Sequence, residues 1–356
     1  MLEESFEGVD VSFIDYRAGL PLVATDTSTA PARRVLAKVR AATSVQTSWG
    51  NRLRFLNHKR RYGNQYFSSI GVAADSNYDS AVDLHVIGSD EVFNCVQANP
   101  NVGFSRDLFG HSSSASRLIS YAASFGNTTL TQIDQHGIRS ELSTDLKRFG
   151  ALSVRDQNSA DIIRDLTGIE PAIHVDPVLA YENLLSEPAI PKERLHAKKF
   201  IIYYGYPGRF SPDESAAVEE FARNRGADIL CFGGIQHSAG SFVDCSPFEL
   251  LAYFRDAEAV VTDTFHGTIL SMINGIPFAT LVRPSSDNAY GNEQKLLFLL
   301  NSFDLLERKL SNPKSLESVL TQSLSTAALG HQLSVERDRA RRYLSQQVLE
   351  TKRLQE

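Results

Sequence analysis

The 356-residue chain has only three cysteines, one tryptophan and two methionines. It also lacks any uninterrupted apolar run approaching the ~20 residues of a membrane span. Cys95, Cys231 and Cys245 show neither metal-ligand spacing nor a paired framework, which excludes a disulfide scaffold and fits a reduced cytoplasm. A basic excess is missing too: 36 Lys and Arg face 42 Asp and Glu, a net charge of −6. That balance argues against a nucleic-acid binder working by counterion release. Nothing at the start reads as a signal peptide, and there is no internal repeat or low-complexity tract. Basic residues do cluster at Lys59-Arg60-Arg61 and from Arg339 to Arg342. Both clusters read as solvated helix faces, with contact to a membrane surface or an anionic glycan as the alternative.

What is present is an alternation of short apolar strands with amphipathic helices, the signature of parallel α/β layers. The length suits two domains sharing a cleft. We place the first over residues 1–180, a Pro-, Glu- and Lys-rich linker over 181–199, the second over 200–330, and a charged amphipathic helix (Ser334 to Leu354) packing back from 331–356. The start is unusual. Val9 to Tyr16 reads as a strand, yet no strand, phosphate-approaching loop and helix stand before it, as a doubly wound domain would have. Ala18 to Tyr78 is polar and basic, with weak periodicity, and is expected to lie over the first domain.

The stretch Ala259 to Phe278 carries the sharpest signal. Ala259-Val260-Val261 reads as a buried parallel strand, Thr262-Asp263-Thr264 as a polar turn, and Phe265 onward as a helix stopped by Gly275 and Pro277. Asp263, Thr264, His266 and Thr268 therefore fall at a strand's carboxyl end and on the next helix's first turn. Ligands of open α/β sheets bind in that crevice, and the helix N-terminus favours an anion there. A neutral imidazole in that position could move a proton. Alternatively Asp263 or Thr264 simply caps the helix, and His266 is a hydrogen-bonded interior residue.

Comparable strand ends recur upstream. Leu84 to Ile87 runs into Gly88-Ser89-Asp90-Glu91, where Asp90 reads either as a crevice residue or as an N-cap; His85, within the strand, reads as structural. Asp90 and Glu91 are sequence neighbours and should diverge rather than work as a pair. Arg117 to Gly126 closes on small residues, among them Ser124. Arg155 ends the strand Ala151 to Val154, with Asp156 to Ser159 opening a helix stopped by Gly168. Its guanidinium could fork onto an anion or pair with Asp156 or Asp161. His174 to Leu179 reads as the last strand of this half. In the second half, Phe200 to Tyr204, a helix from Ser211 to Arg225, Asp228 to Phe232 and a helix from Pro247 to Asp256 predict a second parallel sheet. Gly233-Gly234 reads as a turn or a close backbone approach to a ligand.

As an ordered set these segments resemble the polysaccharide pyruvyl transferase family. The resemblance rests on Gly88 to Phe93, Tyr121 to Gly126, Val154-Arg155-Asp156 with Ser159, Asp176-Pro177 and Thr262 to Thr268, over about residues 9–310. It implies two Rossmann-like domains in a GT-B-like arrangement with the active site between them, the first domain lacking its opening strand, loop and helix. It also implies transfer of the enolpyruvyl carbons of phosphoenolpyruvate to a sugar, giving a pyruvate ketal. His266, Asp263 and Arg155 would be catalytic. Arg155, Thr264, Phe265, His266, Gly267 and Thr268 would bind phosphoenolpyruvate, and Gly88, Ser89, Asp90 and Ser124 the acceptor. No metal or cofactor beyond the donor substrate is implied. The acceptor would be a cell-surface or exopolysaccharide glycan or its lipid-linked precursor, which suits a cytoplasmic protein able to meet the inner face of the membrane.

Two departures bear on activity. Many members place an arginine where Thr264 stands, so Arg155, the helix N-terminus and Arg283 or Lys295 must supply that charge. The family's opening strand and its asparagine- and glycine-containing loop are also missing before Val9, through a truncated start or a reduced cleft. Two other functions fit the same residues: a glycosyltransferase using a nucleotide sugar on the same fold, and a non-catalytic glycan- or anion-binding relative.

Overall fold

The computed structural model describes residues 2, 6–23, 45–72, 75–99, 101–283 and 293–354. The chain forms two compact units. The first draws on the opening residues, the stretch from residue 75 to Glu182 and the segment Gln332–Glu356; the second takes residues 45–72 and Asn183–His331.

In the first unit, β1 (Leu84–Gly88) and β2 (Arg117–Tyr121) pair in parallel, with Leu84 opposite Arg117 and Gly88 opposite Tyr121. The short strands β3 (Ser153–Val154) and β4 (Ala172–Ile173) also pair in parallel, and bridges Ile119–Ala151 and Ala123–Val154 join them to β2. On one face the helices Leu130–Gln135, Arg139–Leu146 and Gln157–Thr167 close a core around Phe93, Phe109 and Phe125, each at most 2% exposed. Burying such a ring contributes about 1.5–3 kcal/mol. On the other face Ala340 and Leu344, from the helix Thr326–Arg353, pack on Ile119 and Tyr121, and Tyr343 Oη donates to the Ser120 carbonyl at 2.8 Å.

Two sequence expectations fail in this unit. Val9 to Tyr16 joins no ladder; Asp15 N–H donates to the Asn77 carbonyl instead, and Phe13 is exposed. β1 is thus an edge strand among the described residues, as is β4 on the far side. The last strand is Ala172–Ile173 rather than His174 to Leu179, because Asp176 accepts from Val178 N–H and Pro177 starts a helical turn, Pro177–Ala180.

The second unit carries a six-stranded parallel sheet built from β5 (Phe200–Tyr204), β6 (Asp228–Phe232), β7 (Ser241–Phe242), β8 (Ala259–Thr262), β9 (Phe278–Leu281) and β10 (Lys309–Leu310). Their spatial order is β10-β9-β8-β5-β6-β7. The chain winds outward from β5 to β7, returns to β8 beside β5, and winds outward again. This is the doubly wound pattern, whose switch point lies between β5 and β8. Capping boxes at Ser211–Glu214 and Ser246–Glu249 start the helices Pro212–Asn224 and Pro247–Asp256, both with proline in the first turn.

The helix Trp49–Tyr66 packs in this unit, not over the first as its polarity suggested. Asn51, 5% exposed, explains why: its side-chain amide donates to the Gly240 carbonyl at 2.8 Å and accepts from Phe242 N–H at 3.0 Å. One side chain thereby occupies the open edge of β7 as a neighbouring strand would. Phe55 meets Phe242 edge-on at 5.2 Å. Cys95, Cys231 and Cys245 are each buried and free.

Candidate active site

At the switch point of the second unit, the turn after β8 is built as a helix cap. Thr264 Oγ1 accepts from Gly267 N–H at 2.9 Å, and Thr262 Oγ1 accepts from Thr264 N–H at 3.0 Å. Thr268 Oγ1 reaches the Thr264 carbonyl and Thr280 Oγ1, each at 3.0 Å. Gly267 must be glycine, since a Cβ there would stand 2.2 Å from Thr262 Oγ1 and 2.6 Å from Tyr204 Cδ1. Phe265 and Thr268 are buried. Phe265, Gly267 and Thr268 therefore seat the helix Phe265–Asn274 on the sheet. His266 points the other way: it is exposed on the first turn, with its ring edge-on to Phe265 at 5.9 Å. The interior-histidine reading of His266 fails, whereas the capping reading of Thr264 holds.

Asp263, 1% exposed, is the centre of charge. Arg209 Nε stands 2.8 Å from its Oδ2, and Arg283 Nε 3.9 Å from the same oxygen. Burial pushes the Asp263 carboxyl above its ordinary range, against the pull of both arginines. Arg283 also forks onto Glu214 at 2.7 and 2.8 Å. Burial opposes charge on Glu214, but that fork and the helix cap prevail and hold its carboxyl below the usual range. Sequence reasoning named Arg283 and missed Arg209. The available signal was Gly205-Tyr206-Pro207-Gly208-Arg209, a glycine–proline turn that delivers a cation at the carboxyl end of β5. The turn is tightly packed: Gln236 Nε2 donates to the Gly205 and Tyr206 carbonyls, and a Cβ on Gly234 would lie 2.5 Å from Pro207 N. Gly233-Gly234 thus serves a backbone approach within the protein.

In the first unit, the strand ends bring Gly88, Ser89, Asp90 and Arg155 together. A Cβ on Gly88 would meet the Tyr121 carbonyl oxygen at 2.2 Å. Ser89 and Asp90 follow with φ of 42° and 62°, a left-handed turn that non-glycine residues rarely adopt outside functional or tightly held sites. Asp90 is therefore no helix N-cap. Arg155 does not pair with Asp156 or Asp161 as weighed above: Nη2 donates to Asp90 Oδ1 and Nη1 to Asp176 Oδ2, both at 3.1 Å. Ser89 Oγ also donates to Asp176, at 2.9 Å. Ser124, 1% exposed, donates to Asp156 at 2.6 Å and belongs to the interior. Beside Gly88 opens a cavity of about 180 Å³, lined among others by Tyr16, Arg17, Tyr78, His85 and Asp107. Burial lowers the His85 pKa, and its ring meets Ser113 Oγ at 2.9 Å.

Parallel α/β units, the second with two arginines on a buried aspartate and an exposed imidazole at its switch point, define a protein of the doubly wound class. A model of the polysaccharide pyruvyl transferase family matches residues 26–285, well over half of the chain, and the chain belongs to that family. No curated protein sequence matches it. Among solved structures it is similar to a putative UDP-N-acetylglucosamine 2-epimerase from Listeria monocytogenes (13% identity, TM-score 0.34, 60% of this chain and 65% of that one). It is also similar to a UDP-forming α,α-trehalose-phosphate synthase from Burkholderia xenovorans in complex with glucose-6-phosphate (10% identity, TM-score 0.40, 69% and 70%). A third is the wall teichoic acid polymerase TagF (12% identity, TM-score 0.37, 87% and 100%). The chain thus spans slightly less than two thirds of the Listeria protein.

Proposed function

We propose that the chain transfers the enolpyruvyl carbons of phosphoenolpyruvate to two hydroxyls of a cell-surface or exopolysaccharide glycan, or its lipid-linked precursor, forming a pyruvate ketal. One observation carries the reading: in a member of this family, Arg209 and Arg283 converge on Asp263, in the turn that leads into the helix bearing the exposed His266. The guanidinium groups and the helix N-terminus favour the donor's phosphate and carboxylate. His266 delivers a proton to the methylene carbon, leaving cationic character at C2. A sugar hydroxyl attacks C2 and loses its proton, the C2–O bond to phosphate breaks, and a second hydroxyl closes the ketal. Of the two hydroxyl protons, one balances the new methyl group and one leaves with phosphate.

Asp263 is assigned to holding Arg209 and Arg283 at the donor. Thr264, in place of an arginine, keeps the cap while those two arginines supply the charge. Arg155, whose side chain is 2% exposed against 20% for Arg209 and 25% for Arg283, is assigned to shaping the Ser89-Asp90 turn, and that turn with its neighbouring cavity is assigned to the glycan. The reaction calls for no cofactor beyond the donor.

Thermal stability against phosphoenolpyruvate and, separately, a panel of nucleotide sugars tests the donor. Stabilisation by phosphoenolpyruvate that is lost in Arg209→Ala supports the reading. Stabilisation only by a nucleotide sugar replaces it with glycosyl transfer. Donor binding without phosphate release on any glycan would leave a non-catalytic binder.

A further inference from the structure

The helix Trp49–Tyr66 has a second face that the sheet does not use. Its inner face sets Asn51 and Phe55 against β7. On the outer face Trp49, Leu53 and Leu56 recur at the spacing of a single stripe, and Phe67 extends the stripe just past the helix. These four side chains are 74, 65, 55 and 46% exposed, where a solvated helix would carry polar groups. At about 100° per residue, Arg52 and Lys59 lie to one side of the stripe and Arg61 to the other, with Arg60 inside it, while Arg54 lies nearer the buried face and donates to Asn51 Oδ1 at 3.0 Å. The helix holds these five basic residues and no acidic one, within a chain of net charge −6.

We propose that this face docks on an anionic lipid bilayer, the helix lying in the headgroup plane. Trp49, Leu53, Leu56 and Phe67 enter the boundary of the acyl region, and the flanking cations meet lipid phosphates. A polyanionic glycan or a nucleic acid would engage the cations and leave the apolar stripe in water; a bilayer takes up both. Tryptophan at the rim suits that interface, where its ring is half wetted. Among the described residues no helix is long and apolar enough to cross a membrane, so the contact lies on the bilayer. The inference stands on this helix alone and is independent of the transfer chemistry.

Trp49 is the only tryptophan of the chain, so its emission reports on this face. The full chain is mixed with vesicles of phosphatidylcholine alone and of phosphatidylcholine with phosphatidylglycerol, and followed by emission and flotation. The expected result is a blue shift with co-flotation on the anionic vesicles and neither on the neutral ones. Leu53→Gln with Leu56→Gln should abolish the shift. Lys59→Gln, Arg60→Gln and Arg61→Gln together should weaken partitioning by on the order of fivefold per residue. All five positions are solvent-facing, and an unchanged melting curve verifies the fold. The wild-type emission decides without any variant. No flotation, flotation without a blue shift, equal binding to neutral vesicles, or retention on dextran sulfate without vesicle binding would each overturn the proposal.

Discussion

Arg155 Nη1 stands 3.1 Å from Asp176 Oδ2, and both side chains are 2% exposed. A cation this deep, with Asp90 on its other arm, is an internal strut of the first unit before it is anything else. Removing one partner of such a pair strands the other charge in low dielectric. Arg155→Met is expected to cost about 3–5 kcal/mol of stability, with a smaller loss when Asp176→Asn is added, which removes the stranded charge and keeps the acceptor that caps Val178 N–H. Urea denaturation of the two variants checks this. Full stability in Arg155→Met, with loss of the phosphoenolpyruvate effect, would return Arg155 to the donor pocket.

His266 should behave in the opposite way. It is exposed, so His266→Gln is expected to leave stability within about 0.5 kcal/mol. Phosphate release in the presence of an acceptor should fall roughly 10²–10⁴-fold, the usual share of a general acid. Donor-induced stabilisation should persist, since the proton carrier is not the main anion holder.

The two arginines at Asp263 are separable. Saturating donor at a hundredfold above its dissociation constant should add about 2.7 kcal/mol to the wild type. Arg209→Ala should lose most of that increment. Both variants should lower the intrinsic melting temperature, Arg209→Ala by taking the nearest cation from the buried Asp263 and Arg283→Ala by leaving Glu214 without its fork. Calorimetry with and without phosphoenolpyruvate distinguishes the two effects.

Gly267→Ala reverses a propensity rule. Alanine in a helix is worth about 1 kcal/mol over glycine. Here the new methyl would lie 2.2 Å from Thr262 Oγ1 and 2.6 Å from Tyr204 Cδ1. Overpacking of this kind costs about 1–3 kcal/mol, so the clash wins and the variant should be less stable, with a lower denaturation midpoint.

Acid should loosen the first unit through His174. Burial, with a smaller contribution from Arg339, pulls its pKa from 6.5 to about 4, and its ring meets Ser153 Oγ at 2.8 Å. A depressed folded-state pKa means that the unfolded chain binds the proton first. The His174 share of stability is therefore complete above pH 6.5, erodes as pH falls toward 4, and is gone below it; its full size is on the order of 3 kcal/mol. Unfolding free energies measured between pH 7 and 4 should show that slope, flattened in His174→Gln.

The central strands of the second sheet, β5, β6 and β8, were legible because they are apolar runs and the helices between open on readable caps, Ser211-Pro212, Ser246-Pro247 and Thr264. The two-residue edge strands β7 and β10 are too short to show a pattern. Val9 to Tyr16 misled because alternation shows only that a segment can pair, and here the hydrogen bonds go to Asn77. Asp176-Pro177 hid a cap inside an apolar run. The partners of Arg155 lie 65 and 21 residues away, Arg209 reaches Asp263 only through the turn after β5, and the tie of Asn51 to Gly240 spans 189 residues. Local periodicity carries no information about such pairings.

That last tie also sets a schedule for synthesis. The helix Trp49–Tyr66 leaves the ribosome 189 residues ahead of the strand edge that Asn51 closes. At roughly 5–20 residues per second, the interval is roughly 10–40 s. Throughout it Phe55 lacks Phe242 and Asn51 lacks the backbone of Gly240 and Phe242, and once β7 emerges its edge stays open until the early helix finds it. The nascent chain is thus in need of chaperone shelter as β7 emerges, when β5 and β6 are made and β8, β9 and β10 are still to come.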